Sequence, residues 1–370
     1  MPPTVPASLP ESNTSLTFTQ PSSPPHLTHT PIPTPSPKDI LVKIHAAAIN
    51  PVDIQIWGNP VVGWLAGSKE KGIGRDYSGI VVAVGEEVRK QGGWEVGDEV
   101  FGLCNRPQKT AEGTFTQYLC ICPHTDPIAK KPRSLSHPEA AAIPLVALTA
   151  FACLDWLPEP SKSPNQDRPH VIVSGASGGV GIWCVQLAKK LYGCHVTAIC
   201  SSRNADFVRD LGADEVIDYA TQDVPQSLLS KRPQGNKFDL YVDCVGGTEM
   251  FEYWTQLLHR NAAYVTIVGD KTERTAMGGP LTYFTYPKQV MRHVWGWLFG
   301  PRYANVMLYQ KNGYLEQVAE LAEQREVSVV VQDVVKGILD EKLYQGAWEK
   351  VKREMVGGRV RGKVVVEISE

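Results

Sequence analysis

Residues 171–181 read VIVSGASGGVG, an apolar run that stops at Gly175 and is followed by Gly178, Gly179 and Gly181. The run has the composition of a buried strand, and GVGIWCVQLAKKLYG after it has helical character. A strand that ends in a glycine turn and opens a helix aims backbone N–H groups and the positive end of the helix dipole at one spot, which suits a pyrophosphate. In the loop Ser177, Gly178, Gly179, Val180 and Gly181, the first two glycines allow close backbone approach and Gly181 lets helix and strand pack together. A second strand, HVTAICS, follows at the distance a dinucleotide-binding unit requires.

Beyond this point strands and helices alternate: the helix NADFVRDLG, the strand EVIDY, a polar helix, the strand LYVDCVGG, the helix TEMFEYWTQLLHR and the strand AYVTIVG. Near-continuous apolar strands in repeated βα units mean a parallel sheet covered on both faces. The second strand runs into Ser201, Ser202 and Arg203, with no acid before Asp206. An acid there would take a ribose 2′-hydroxyl, whereas arginine suits a 2′-phosphate, so the expected cofactor is NADPH. Residues 271–303 interrupt the rhythm with an insertion that includes Tyr283, Phe284, Tyr286, Trp295, Trp297, Phe299 and Tyr303. Its place after AYVTIVG predicts that part of it reaches the substrate; core filling or padding of a dimer interface or inter-domain seam are the competing roles. The strand NVMLYQ, the helix YLEQVAELAEQ, the strand VSVVVQDVV, a helix around LYQGAWEKVKREM and the strand GKVVVEI complete the chain.

Proline is frequent up to Pro37 and argues against helices or central strands there, so residues 1–12 read as a mobile tail. Residues 40–122 read as mainly β, and Ser136 caps a helical stretch, SHPEAAAIPLVALTAFACLDWL. A length of 370 residues predicts two domains. With 37 basic and 39 acidic residues there is no overall field to attract nucleic acid or an anionic membrane, and neither is an expected partner. Eight scattered cysteines fit a reducing compartment, and a start without an apolar core or arginine predicts the cytosol. The segment VMRHVWGWLFGP is too short to cross a bilayer.

The stretches KIHAAAINPVD, GRDYSGIVVAVG, GDEVFG, GTFTQY, AAIPLVALTAF, SGASGGVGIWCVQLAK, LGADEVIDY, DLYVDCVGG and GKVVVEI together resemble the medium-chain dehydrogenase/reductase superfamily, in its zinc-free quinone oxidoreductase and enoyl reductase branch. The resemblance implies an α/β chain in which a GroES-like, β-rich catalytic domain (13–147, completed by 311–370) carries an inserted Rossmann-type, doubly wound parallel-sheet domain (148–310). Where the zinc enzymes of the family have Cys, a His-Glu pair and Cys, this chain has Asn50, Arg75 with Asp76, and Leu145 or Val146, so no catalytic metal is expected. Cys120, Cys122 and His124 alternate but are poorly spaced for a structural zinc.

By the same resemblance Asn50, Val52 and Asp53 lie on the nicotinamide side, with Asn50 and Asp53 the catalytic candidates, and Thr149 contacts the cofactor. Tyr219 joins Ser201 and Arg203 around the 2′-phosphate, while Val268 and Gly269 flank the nicotinamide. Gln55 stands where relatives often carry a tyrosine or lysine, so no proton donor is named. The implied reaction is hydride transfer from NADPH to a small quinone, enone or enoyl acceptor. A trans-acting enoyl reductase of a polyketide pathway and a non-catalytic regulatory or trafficking protein are the alternatives. A homodimer is possible for any of them.

Overall fold

The computed structural model describes residues 9–60, 69–104, 112–165, 168–232, 236–271, 286–306, 312–357 and 360–369. The chain divides into two compact units, 1–145 with 310–370, and 146–309. The strands of the first stretch are β1 (Ser12–Phe18), β2 (His26–Pro31), β3 (Ile40–Ile49), β4 (Lys71–Gly72), β5 (Asp76–Val84), β6 (Glu99–Leu103), β7 (Tyr118–Ile121) and β8 (Ile128–Lys130). The second unit contains β9 (His170–Ser174), β10 (His195–Cys200), β11 (Glu215–Asp218), β12 (Phe238–Asp243), β13 (Leu258–Thr266) and β14 (Arg302–Asn305). β15 (Val331–Val335) and β16 (Lys363–Glu367) return to the first.

In the first unit a sheet runs in the order β15-β16-β3-β5-β6-β8, with β7 also on β3. Its centre is β3, whose Ala46 and Ala48 are fully buried against Ala141 and Ala142; side chains this small let the helix His137–Ala141 approach the sheet closely. Ser136 caps that helix by accepting from the Glu139 N–H. Two registers matter for the site. β16 pairs antiparallel with β3 so that Val364 faces Ile49, and β5 pairs so that Asp76 faces Ala48. The sequence places about 300 residues between Asn50 and Lys363, yet these registers set the two side by side.

In the second unit all neighbouring strands are parallel, in the order β11-β10-β9-β12-β13-β14. Connections leave β9 in one direction and β12 in the other, so the order reverses between them, the position where open α/β sheets bind ligands. The turn after β9 and the turn after β12 meet there: a Cβ added at Gly175 would lie 3.0 Å from Val245 and 3.4 Å from Cys244.

Several elements differ from the sequence reading. The predicted helix over 248–260 is reduced to a 3-10 turn at Glu249–Glu252 and a single turn at Trp254–Leu257, because from Leu258 the chain is already extended and bonded into β13 beside β12. Over the described part of the aromatic insertion, residues 286–303, a helix and a strand follow in turn. The helix is Pro287–Phe299 and the strand is β14, which already begins at Arg302 and includes Asn305; residues 307–310 of the strand expected over NVMLYQ lie outside the described residues. Tyr283 and Phe284 lie outside the described residues. The strand expected over VSVVVQDVV occupies only its second half, as β15. The proline-rich start holds two strands, and its Pro31 falls at the end of β2, an edge strand whose outer side needs no N–H.

All eight cysteines are unbridged. Among the described residues no helix is long and apolar enough to cross a membrane, and no group of three or more His, Cys, Asp or Glu side chains is placed to hold a metal ion.

Candidate active site

At the end of β3 the chain turns into the helix Pro51–Gly58, with Asn50 as its N-cap residue. The Asn50 N–H donates to Asp53 Oδ2 at 2.7 Å, and the Asp53 N–H donates back to the Asn50 carbonyl at 3.0 Å. A carboxylate thus sits at the positive end of its own helix. The Asn50 side chain is held from both sides: Nδ2 donates to Asp76 Oδ2 at 2.8 Å, and Oδ1 accepts from Lys363 Nζ at 2.5 Å. Lys363 Nζ also donates to Asp76 Oδ2 at 3.0 Å and to the Ile49 carbonyl at 3.1 Å, which uses all three of its hydrogens. Asp76 Oδ1 accepts the Leu145 N–H at 2.9 Å.

These groups are buried, with Asn50 1%, Asp53 5%, Asp76 0% and Lys363 5% exposed. Burial pushes the Asp53 carboxyl up to about 7; Arg75 opposes the rise, Asp76 adds to it, and the Asn50 N–H and Lys363 act against it. Val52, on the same helix turn, is half-buried. Asn50 and Asp53 were singled out from the sequence through the family resemblance. Their connection to Asp76 and Lys363 was not, although both residues stand in motifs quoted above.

In the second unit Gly178 is the N-cap of the helix Gly179–Lys190, and it supplies no side-chain cap; the first turn holds no acidic residue. The helix is packed hard on the strand that precedes it. A Cβ at Gly181 would come within 2.2 Å of the Gly175 carbonyl, whereas one at Gly178 would meet only that same oxygen, at 3.3 Å. Space therefore lies over the helix terminus and not beneath it. Ser177, Gly178, Gly179 and Val180 are all partly exposed there, and Gly175 takes the left-handed φ of 73° that begins the turn. Backbone donors, a dipole and room above them fit the pyrophosphate of a dinucleotide.

After β10 a 3-10 turn, Ser202–Asn204, leads into the next helix. Asn204, buried at its end, donates through Nδ2 to Ser177 Oγ at 3.0 Å and Ser201 Oγ at 3.4 Å, and so links the glycine loop to the turn after β10. Sequence reading missed Asn204. Ser202 and Arg203 are exposed, and Arg203 has no hydrogen-bond or ion-pair partner among the described residues. Asp218, at the end of β11, is held below its ordinary range by the Ala220 N–H and then by Thr221 and Ser202. Tyr219 follows it and is exposed.

Val268 and Gly269 lie in the turn after β13. Thr266 Oγ1 accepts both their N–H groups, at 3.2 and 2.9 Å, and donates to Asp243 Oδ2 at 3.0 Å. Asp243 Oδ1 accepts the N–H groups of Val245 and Gly246 at 3.0 and 2.9 Å. One buried carboxyl, raised by that burial, therefore ties together the turns after β12 and β13. The signal for this pair was a polar residue at the end of each apolar strand. Thr149, predicted at the cofactor, is buried on the helix Pro144–Leu154.

A glycine loop at the switch point of a parallel sheet, in a chain that also folds a β-rich unit from its two ends, defines the class of two-domain nicotinamide-dependent oxidoreductases. Family models match accordingly, the alcohol dehydrogenase GroES-like domain over residues 36–133 and the zinc-binding dehydrogenase model over 179–296. The chain belongs to the medium-chain dehydrogenase/reductase superfamily, in its quinone oxidoreductase and enoyl reductase branch. It is 32% identical over 352 residues to NAD(P)H oxidoreductase RTN4IP1, mitochondrial, of Bos taurus, covering 90% of this chain and 82% of that one. It is 31% identical over 339 residues to trans-enoyl reductase pgmF of Aspergillus terreus, covering 90% and 87%. The solved quinone oxidoreductase from Coxiella burnetii superposes with a TM-score of 0.73 at 25% identity, over 97% of this chain and all of that one.

Proposed function

We propose that the chain is an NADPH-dependent, zinc-independent reductase of quinone, enone or enoyl acceptors. The observation that carries the cofactor choice is Arg203, exposed and unpaired among the described residues beside Ser201 and Ser202 at the end of β10. NADPH supplies the hydride when bound. The residues of the chain that would hold it are the Ser177–Gly181 loop at the pyrophosphate, Ser201, Ser202, Arg203 and Tyr219 at the 2′-phosphate, and Val52, Thr149, Val268 and Gly269 toward the nicotinamide.

Zinc independence rests on the donor set. Asn50 offers a neutral amide already shared between Lys363 and Asp76, and the Lys363 ammonium beside it would repel a cation. Being almost wholly buried, Asn50 and Asp53 act in this reading as positioning residues: they hold the start of the helix Pro51–Gly58 and the half-buried Val52 on it. Asp53 also keeps a carboxyl that exchanges its proton near neutral pH.

The reading is tested by following NADPH oxidation against quinones, enones and enoyl thioesters, with metal analysis of the same sample. Turnover of at least one class, faster with NADPH than NADH and indifferent to chelators, is expected. One zinc per chain lost together with activity would overturn it. The relative named as a trans-enoyl reductase supports a second reading, in which the acceptor is an enoyl thioester of a biosynthetic pathway; preference for thioesters over quinones would select it.

A further inference from the structure

The helix Pro287–Phe299 is built inside out. The side that meets β14 is polar or small: Gln289 is fully buried and accepts from the Tyr303 hydroxyl at 2.9 Å, His293 Nδ1 lies 2.8 Å from the Tyr303 carbonyl, and a Cβ at Gly296 would come within 2.5 Å of the Pro301 carbonyl. Arg292 sits over the Phe251 ring at 3.7 Å and is paired to Asp270 at 2.5 and 2.8 Å. The opposite side carries Val290, Met291, Val294, Trp295, Trp297 and Leu298, all exposed, with Met291 at 70% and Trp297 at 79%. An ordinary surface helix has the reverse arrangement.

At 100° per residue, the exposed apolar positions from Trp297 round to Trp295 span about 160° of the circumference without a charge, and Phe299 extends the arc to about 200° beyond the exposed Lys288. A flat protein partner covers roughly one helix face, whereas a fluid layer into which the helix sinks covers the whole of such an arc. Charge points the same way. The helix has no acidic residue, Lys288 is exposed near its start, and the exposed Arg260 lies against its C-terminal turn, where its carbonyl would be 2.1 Å from a Cβ at Gly300. Its tryptophans are the side chains that favour the boundary between headgroups and acyl chains. Thirteen residues make a rod about 20 Å long, which can lie in that boundary but cannot span a bilayer.

We propose that Pro287–Phe299 is an interfacial anchor that lays its apolar arc on an anionic phospholipid bilayer. The net charge of −2 gives the whole chain no attraction to such a surface; the local patch does.

It is tested by cosedimentation of the full chain with vesicles of mixed phosphatidylcholine and phosphatidylserine and with vesicles of phosphatidylcholine alone, read together with tryptophan emission. The unmodified chain should bind the mixed vesicles with a blue shift. A Met291→Gln, Trp297→Gln double variant should bind at least about tenfold more weakly, since both side chains are lost from the buried arc. Lys288→Glu should reduce the preference for the anionic vesicles by about fivefold or more. No vesicle binding by the unmodified chain overturns the proposal without reference to any variant. Undiminished binding by a double variant of unchanged melting temperature also overturns it. So does a dimer, seen by light scattering, that the double variant dissociates while neither form binds vesicles, because the arc then belongs to a second copy.

Discussion

The strand-to-helix junctions at Asn50 and at Gly178 treat the positive helix end in opposite ways. At Asn50 the junction is closed: the helix draws an internal carboxylate, Asp53, onto its N-terminal end, and the Asn50 amide is taken up by Asp76 and Lys363. At Gly178 the junction is open, with no side-chain cap, no acid in the first turn and space above the N–H groups. The same backbone device is thus occupied by the protein's own carboxyl group at one junction and left open to a ligand at the other.

The largest expected effect comes from breaking the closed junction. Lys363→Met leaves the Asp76 carboxylate buried without its counter-charge, and the loss should be about 3–5 kcal/mol in urea unfolding. A smaller cost, under about 1 kcal/mol, would mean that water already reaches the cluster.

Closing the open junction should have the next largest effect, on binding alone. Gly178→Asp puts an internal carboxylate at the helix end; its N-cap backbone is extended, φ −82° and ψ 170°, and accepts a side chain. A Cβ there meets the Gly175 carbonyl at 3.3 Å, a tight contact that offsets the gain from capping, so stability should stay within about 1 kcal/mol of the unmodified chain. Dinucleotide affinity, measured by calorimetry, should fall at least about a hundredfold. Unchanged affinity would place the cofactor elsewhere.

Arg203→Ala should leave unfolding within about 0.5 kcal/mol of the unmodified chain, as for an exposed side chain. Its NADPH affinity should drop about ten- to a hundredfold while NADH affinity stays level. Equal loss for both cofactors would remove the 2′-phosphate assignment.

The smallest effect is a slope. Because the folded Asp53 carboxyl titrates near 7, well above its ordinary value, the folded state binds the extra proton between about pH 4 and pH 7. Its contribution to stability is therefore present at low pH and lost as pH rises through 7, by at most about 1.4 kcal/mol per pH unit. Burial lowers His45, His137, His170 and His195, which gives the opposite slope in part of this range. The quantity to measure is thus the difference between the unmodified chain and Asp53→Asn, which should flatten Asp53's part alone. Parallel stability curves would show that Asp53 is ionised throughout.

Much of the second unit was legible because its signals are local. A valine run, a glycine turn and an arginine at the next strand end lie within 33 residues, and each states its own backbone requirement. Asp243 and Thr266 were less visible: a polar residue ending an apolar strand has many uses, and only adjacent parallel strands made these two partners. The helix over TEMFEYWTQLLHR was overextended for the same reason, since Leu257 and Leu258 suit the end of a helix and the start of a buried strand equally well. In the aromatic insertion the residues were correctly seen as unusual, but a linear pattern does not say which side of a helix faces its neighbour.

By itself the sequence determined the alternation of elements, the glycine loop, the arginine after the second strand and the family, because each depends on residues close together or on whole motifs. Tertiary structure alone decided that Lys363 and Asp76 grip Asn50, since strand register brings them together across the chain, and that Pro287–Phe299 turns its apolar arc outward. Both are choices of partner, and a partner is selected by packing between elements that no local pattern specifies.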